Sequence, residues 1–270
     1  MQTNAPPRIA IPMPHSSDRE YAERAIPQYE RAVEQAGGEP VRIPLDQTPS
    51  EVMKLIERCD GVLLPGSNAD VDPSKFGAAR SPRTAAADPR RDTVDELLLQ
   101  DAYNMRKPVL GICYGLQSLN VYRTGSLIQH IPDFLPEELR NRVNHEAGKK
   151  VAIAHAVEID KDSKLAEIVN TKDGESSAPK ATNRVMPVNS SHHQSADTIG
   201  DGLRIAARCP DDDIVEALEG TAPDHFVLAV QWHPERSVDE DEPSRAIFRA
   251  LIKAAEARHK QLIGEFEGVK

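Results

Sequence analysis

Four short apolar runs, residues 8–13, 39–43, 61–64 and 109–113, alternate with stretches whose apolar residues recur at helical spacing. Parallel strands need a crossover to return the chain to the same edge of a sheet. Strand and amphipathic helix in alternation therefore point to an α/β architecture, with helices covering a mostly parallel sheet. Helices are predicted over residues 18–36, 50–59 and 93–105. The first carries Tyr21, Ala25, Tyr29, Val33 and Ala36 on one face and is stopped by Gly37-Gly38, and the second is capped by Ser50. Between the third strand and the third helix lies a loop, residues 65–89, rich in Gly, Pro, Ala and Asp.

The fourth run reads Lys107-Pro108-Val109-Leu110-Gly111-Ile112-Cys113-Tyr114-Gly115-Leu116-Gln117. A buried strand that gives way to a helix within one residue makes a sharp turn at Cys113, and small neighbours leave room for a substrate to approach. The helix that follows directs its N-terminal amides at the sulfur, an environment that favours thiolate over thiol. A second cluster, Gln231-Trp232-His233-Pro234-Glu235, closes another strand. Pro234 fixes the backbone so that Glu235 can orient His233, which makes Cys113, His233 and Glu235 a candidate nucleophile, base and orienter. A third, Asn189-Ser190-Ser191-His192-His193-Gln194, is a polar turn after a strand. Consecutive side chains on extended backbone diverge, and no carboxylate or cysteine stands nearby at ligand spacing, so no metal is expected there. Backbone amides of the turn at Gly66 and Ser67, together with that of Tyr114, are the candidate oxyanion donors.

The rest of the sequence bounds the possibilities. A formal net charge of -10 on 270 residues argues against nucleic acid as a partner. Cys59, Cys113 and Cys209 are odd in number and far apart, which fits a reducing compartment better than a disulfide framework. No stretch approaches the roughly 20 apolar residues of a membrane helix, so a cytoplasmic protein without membrane attachment is expected. After about residue 133 shorter β-like runs follow, at 150–159, 184–189, 203–207, 214–218 and 226–231. A long helix is predicted over 243–264, and residues 170–180 read as a surface loop.

These motifs, in this order, resemble class I glutamine amidotransferase-like proteins, and within them the γ-glutamyl-γ-aminobutyrate hydrolase, or peptidase C26, branch. GICYGLQ resembles the nucleophile elbow of that family, VNSSHHQ its substrate-holding turn and QWHPE its histidine–glutamate pair. PGSNADVDPSKFG is similar to its glycine-rich loop, and Asp88-Pro89-Arg90-Arg91-Asp92 with Glu96 to the segment before the elbow. The resemblance spans about residues 8–235. It implies a flavodoxin-like three-layer fold in a single domain, residues 1–270 with a core of about 8–255, and hydrolysis of a γ-glutamyl amide without a cofactor. Cys113 would attack the amide, His233 would move the proton, and Gln117, Ser191 and His192 would hold the glutamyl group. The partners it implies are a small-molecule γ-glutamyl amide and at most a second copy in a homodimer.

The chain also departs from the branch. Gly66-Ser67-Asn68-Ala69 replaces paired or tripled glycines, Arg123-Thr124 precedes Gly125 in place of small residues, and Tyr114 stands where arginine is frequent. The leaving amine is therefore not transferred from the resemblance. Two other readings stay open: a glutaminase subunit supplying ammonia to a synthase partner, and a non-catalytic binding or regulatory member.

Overall fold

The structure is a computed structural model that describes residues 5–149, 152–170 and 182–267. The surface loop expected over 170–180 lies, apart from Asn170, outside the described residues. The first half of the chain alternates as the sequence predicts: β1 (Arg8–Pro12), α1 (Arg19–Gln35), β2 (Glu39–Ile43), α2 (Pro49–Ile56), β3 (Gly61–Leu64), α3 (Pro89–Met105), β4 (Val109–Ile112) and α4 (Tyr114–Tyr122). The second half adds β5 (Leu127–Ile128), α5 (Ile131–Phe134), β6 (His155–Ile159), α6 (Lys164–Val169), β7 (Arg184–Val188), β8 (Ser195–Ala196), β9 (Leu203–Arg208), β10 (Val215–Gly220), β11 (Val227–Val230) and α7 (Glu242–Glu267).

Among the described residues one nine-stranded sheet runs in the order β2-β1-β3-β4-β11-β10-β9-β6-β7, and β5 pairs with β8 in a separate ribbon. Every pairing from β2 to β11 is parallel, and each one beyond β11 is antiparallel. Only β10 and β6 thus oppose the common direction, and the sheet is mostly parallel, as expected. Its central strands alternate between two buried faces. Leu63, Leu110, Ile112, Leu228 and Val230 pack with Tyr29, Val33, Phe248 and Leu251 from α1 and α7. Val62, Leu64, Val109 and Ala229 pack on the other side with Val52, Ile56, Leu98 and Leu116 from α2, α3 and α4. Burial on both faces explains why these strands read as continuous apolar runs and not as alternating ones.

Several boundaries differ from the sequence reading, each for a local reason. Thr48, not Ser50, caps α2: its hydroxyl accepts the Glu51 amide while the Glu51 carboxylate accepts the Thr48 amide, and Pro49 opens the helix. α3 starts at Pro89, because the Asp88 carboxylate accepts the amides of Arg90 and Arg91. α6 and the β5–β8 ribbon are short elements that carried no clear period. Among the described residues no helix is long and apolar enough to cross a membrane.

Candidate active site

The site forms where β4 and β11 end side by side. Ile112 pairs with Val230, and the Cys113 amide donates to the Val230 carbonyl at 2.8 Å, so the ladder carries both chain ends to the same level before they diverge. Cys113 then takes φ 54° and ψ -104°, a conformation strained for any residue with a Cβ, and the chain enters α4 at once. The flanking glycines are steric necessities. A Cβ on Gly115 would lie 2.2 Å from the Leu64 carbonyl oxygen, and one on Gly111 would lie 2.8 Å from the Gly115 oxygen. Strand, turn and helix therefore close on one another with no room for a side chain.

After β11, His233 leads into a short 3-10 turn, Pro234–Arg236. Its Nδ1 stands 2.7 Å from Glu235 Oε1, and both side chains are buried. A carboxylate is an acceptor only, so Nδ1 carries the hydrogen and Nε2 is the nitrogen free to exchange a proton. Burial works against charge on His233, but the Glu235 carboxylate and the Cys113 sulfur outweigh it and raise its pKa to about 9. Glu235 is likewise penalised by burial and held ionised by His233. The His233 backbone is clamped from outside: its amide donates to Asn189 Oδ1 and its carbonyl accepts from Asn189 Nδ2, both at 2.9 Å.

Gly66 faces this pair. A Cβ there would come within 3.1 Å of His233 Cε1 and 3.7 Å of Cys113 Cβ, which places the glycine turn against both. The Gly66 amide, however, donates to the buried Tyr29 hydroxyl at 3.0 Å, so the expectation that it serves an oxyanion meets an amide already engaged. Arg91 is fully buried beneath the turn. Its guanidinium donates to the Pro65 carbonyl at 2.7 Å, to the Pro14 carbonyl at 3.2 Å and to Asp95 at 2.6 Å, and stacks over the Tyr114 ring. The Tyr114 hydroxyl in turn donates to Asp92 at 2.5 Å. The residue that departs from the family's frequent arginine is thus anchored on α3. Arg123, the other departure, lies over Tyr103 and donates to the Asp201 carbonyl.

Of the three residues expected to hold substrate, Gln117 and His192 meet at the Gln194 carbonyl, and Ser191 turns to Arg236. Ser191 is half-buried and its hydroxyl accepts from Arg236 beside Glu235. Gln117 is buried, with its side-chain amide donating to the Gln194 carbonyl and to Gln231 Oε1. His192 turns inward, away from the role expected of it: Nδ1 faces the Gln194 carbonyl at 2.9 Å and Nε2 faces Glu216 in a buried group with His145 and His155. Asn189, Tyr29 and Arg91 are the residues whose roles sequence reasoning missed. Asn189 and Arg91 lie inside quoted motifs, but only the fold shows which backbone groups they hold.

The family model for Peptidase C26 matches residues 9–235, the span that holds the elbow, the polar turn and the histidine–glutamate pair. The chain belongs to the peptidase C26 family. The gamma-glutamyl-gamma-aminobutyrate hydrolase PuuD of Escherichia coli is 32% identical, over 93% of this chain and 94% of its own. A glutamine amidotransferase-like protein of Rickettsia prowazekii is 31% identical over 84% and 87%. In fold, this peptidase C26 protein is similar to a solved GMP synthase component from Thermoplasma acidophilum, with TM-score 0.59 at 15% identity, over 95% and 98% of the two chains. That likeness gives the flavodoxin-like class I glutamine amidotransferase fold.

Proposed function

We propose that the protein hydrolyses γ-glutamyl amide bonds through a cysteine thioester, releasing glutamate and an amine. The observation that carries this reading is the buried His233–Glu235 pair, 2.7 Å apart, set beside a cysteine on a strained strand-to-helix turn. Family membership and the likeness to the Escherichia coli hydrolase support the γ-glutamyl half of the substrate.

In this reading His233 holds the proton of Cys113 and the sulfur attacks the side-chain amide carbonyl. The amides of Ser67 and Tyr114, with Gly66 allowing close approach, face the oxygen that becomes negative. As the C–N bond breaks, His233 gives its proton to the departing nitrogen. His233 then takes a proton from water, whose oxygen attacks the thioester, and collapse returns the sulfur and frees glutamate. Glu235 keeps Nδ1 protonated throughout and balances the imidazolium. The test is glutamate release from a panel of γ-glutamyl amines, with glutamine included, run beside Cys113→Ala. Release lost in the variant supports the proposal and names the amine. Turnover of glutamine alone would favour a partner-dependent glutaminase, and no turnover would favour a binding member.

A further inference from the structure

Away from Cys113, the antiparallel side of the sheet holds a second cluster that the reaction does not use. β9 ends at Arg208, so beyond it β6 and β10 have no strand between them. His155, the first residue of β6, lies past that end, and Glu216 of β10 stands at the last pairs of the β9–β10 ladder. Glu216 is the extra residue of a β-bulge, since Val215 pairs with Arg208 and Ala217 with Ala207. Bulges re-aim a side chain in this way. His145, from the turn before residues 147–149, and His192, from the turn after β7, complete the group. All four are buried, Glu216 completely.

The protonation pattern is set from outside. His145 Nε2 faces Asp212 Oδ2 at 2.8 Å, His155 Nδ1 faces the Ala156 carbonyl at 2.9 Å, and His192 Nδ1 faces the Gln194 carbonyl at 2.9 Å. Each partner is an acceptor only, so each of these nitrogens carries a hydrogen, and in the neutral imidazole the opposite one presents a lone pair. Those three lone-pair nitrogens, His145 Nδ1, His155 Nε2 and His192 Nε2, lie 3.1, 3.4 and 3.5 Å from Glu216 Oε1. None of them has a hydrogen-bond partner, and neither does either Glu216 oxygen. A single shared proton can bridge one of the three contacts and leaves two lone pairs facing a buried carboxylate. A cation relieves all of them together.

We infer that His145, His155, His192 and Glu216 bind a structural zinc ion. Three imidazoles and one carboxylate suit zinc among divalent metals, whereas calcium and magnesium prefer oxygen ligands throughout. With metal–ligand bonds of about 2.0–2.1 Å, the edges of a tetrahedron are about 3.3–3.4 Å, which the three distances from Glu216 Oε1 straddle. Four protein ligands in a buried site leave no open position for chemistry, and carboxylate–histidine–metal support is already supplied by Asp212. The ion would also stiffen the catalytic base, because the turn that carries His192 carries Asn189, the clamp on the His233 backbone.

The experiment is metal analysis of untagged full-length protein, purified without chelator and dialysed against metal-free buffer. About one zinc per chain is expected, and it should persist in Cys113→Ala, which excludes the nucleophile as the ligand. Glu216→Gln and His155→Ala should fall below about one tenth of an equivalent, and Asp212→Asn should weaken zinc binding by about 10–100-fold. Where the ligand variants fail to fold, wild type decides alone. Chelator-stripped wild type titrated with Co2+ should develop the intense visible bands of a tetrahedral ion at one equivalent, bleached by added Zn2+. Wild type that arrives without metal and binds neither Zn2+ nor Co2+ would overturn the inference, and so would metal retained in Glu216→Gln or lost in Cys113→Ala.

Discussion

Replacing Glu235 by glutamine removes one negative charge and little volume from beside His233 Nδ1. With roughly 4 Å between charge centres and an effective dielectric of about 20, the lost attraction is about 4 kcal/mol, a factor of about 10³ in the protonation equilibrium. Taken from a pKa of about 9, that factor brings His233 below the ordinary 6.5 when Glu235 is absent. At pH 7.5 a group of pKa about 9 is about 97% protonated, and one at 6.5 about 9%, so kcat/KM should drop at least tenfold from protonation alone. Lost orientation of the ring adds to this, up to the ~10⁴-fold seen when a serine-protease triad loses its carboxylate. The assay is glutamate release by mass spectrometry from pH 5 to 10.5, with circular dichroism as the control for folding. Wild type should lose activity on an alkaline limb near 9, and the variant on a limb below about 6.5. Stability follows the same sign: a folded pKa above the unfolded value stabilises fully below about 6.5, and the contribution is lost as pH rises through about 9. A folded Glu235→Gln protein whose alkaline limb stays near 9 would refute the reasoning.

Cys113→Ala should abolish glutamate release with little change in Tm, while Cys113→Gly, which relaxes φ 54°, should be inactive and about 2–4 °C more stable by calorimetry. If both turn over substrate, the nucleophile lies elsewhere. Gly115→Ala sets a Cβ against a backbone oxygen at 2.2 Å and should cost about 3 kcal/mol or more in urea unfolding; a cost under about 1 would mean that the elbow yields easily. Arg91→Lys cannot serve two carbonyls and Asp95 together and should cost about 3 kcal/mol by the same measurement, with a drop in kcat as the Pro65–Ser67 turn loosens. Asn189→Ala removes both bonds to the His233 backbone and should lower stability by about 1–3 kcal/mol and kcat more than KM, an expectation that unchanged steady-state kinetics would contradict.

The parallel half of the sheet and the elbow were legible because they are local. An apolar run stopped by Gly-x-Cys-x-Gly encodes strand, turn and helix within a dozen residues, and Pro234 sets His233 and Glu235 together within three. What escaped the sequence depends on distant partners. Thr48 and Ser50 both carry hydroxyls, and the reciprocal bond to Glu51 decides between them. The Gly66 amide looked available until Tyr29 arrived from a helix 37 positions earlier. No carboxylate lies at ligand spacing around His192, yet Glu216 reaches it across the sheet from 24 positions downstream, re-aimed by a bulge that no periodicity announces.

The shared ladder of β4 and β11 divides labour within the molecule. Cys113 and His233, the nucleophile and base of the proposed reaction, each follow a strand whose apolar residues are buried and paired along the main chain. The segments around them, residues 65–89 and 189–194, are loops over most of their length. On the proposed reading, changes in those loops that spare Gly66 and Asn189, which touch His233, can retune which amine is released while the reacting atoms keep their spacing. Within such a lineage the bond that is cut should be inherited more faithfully than the molecule it is cut from.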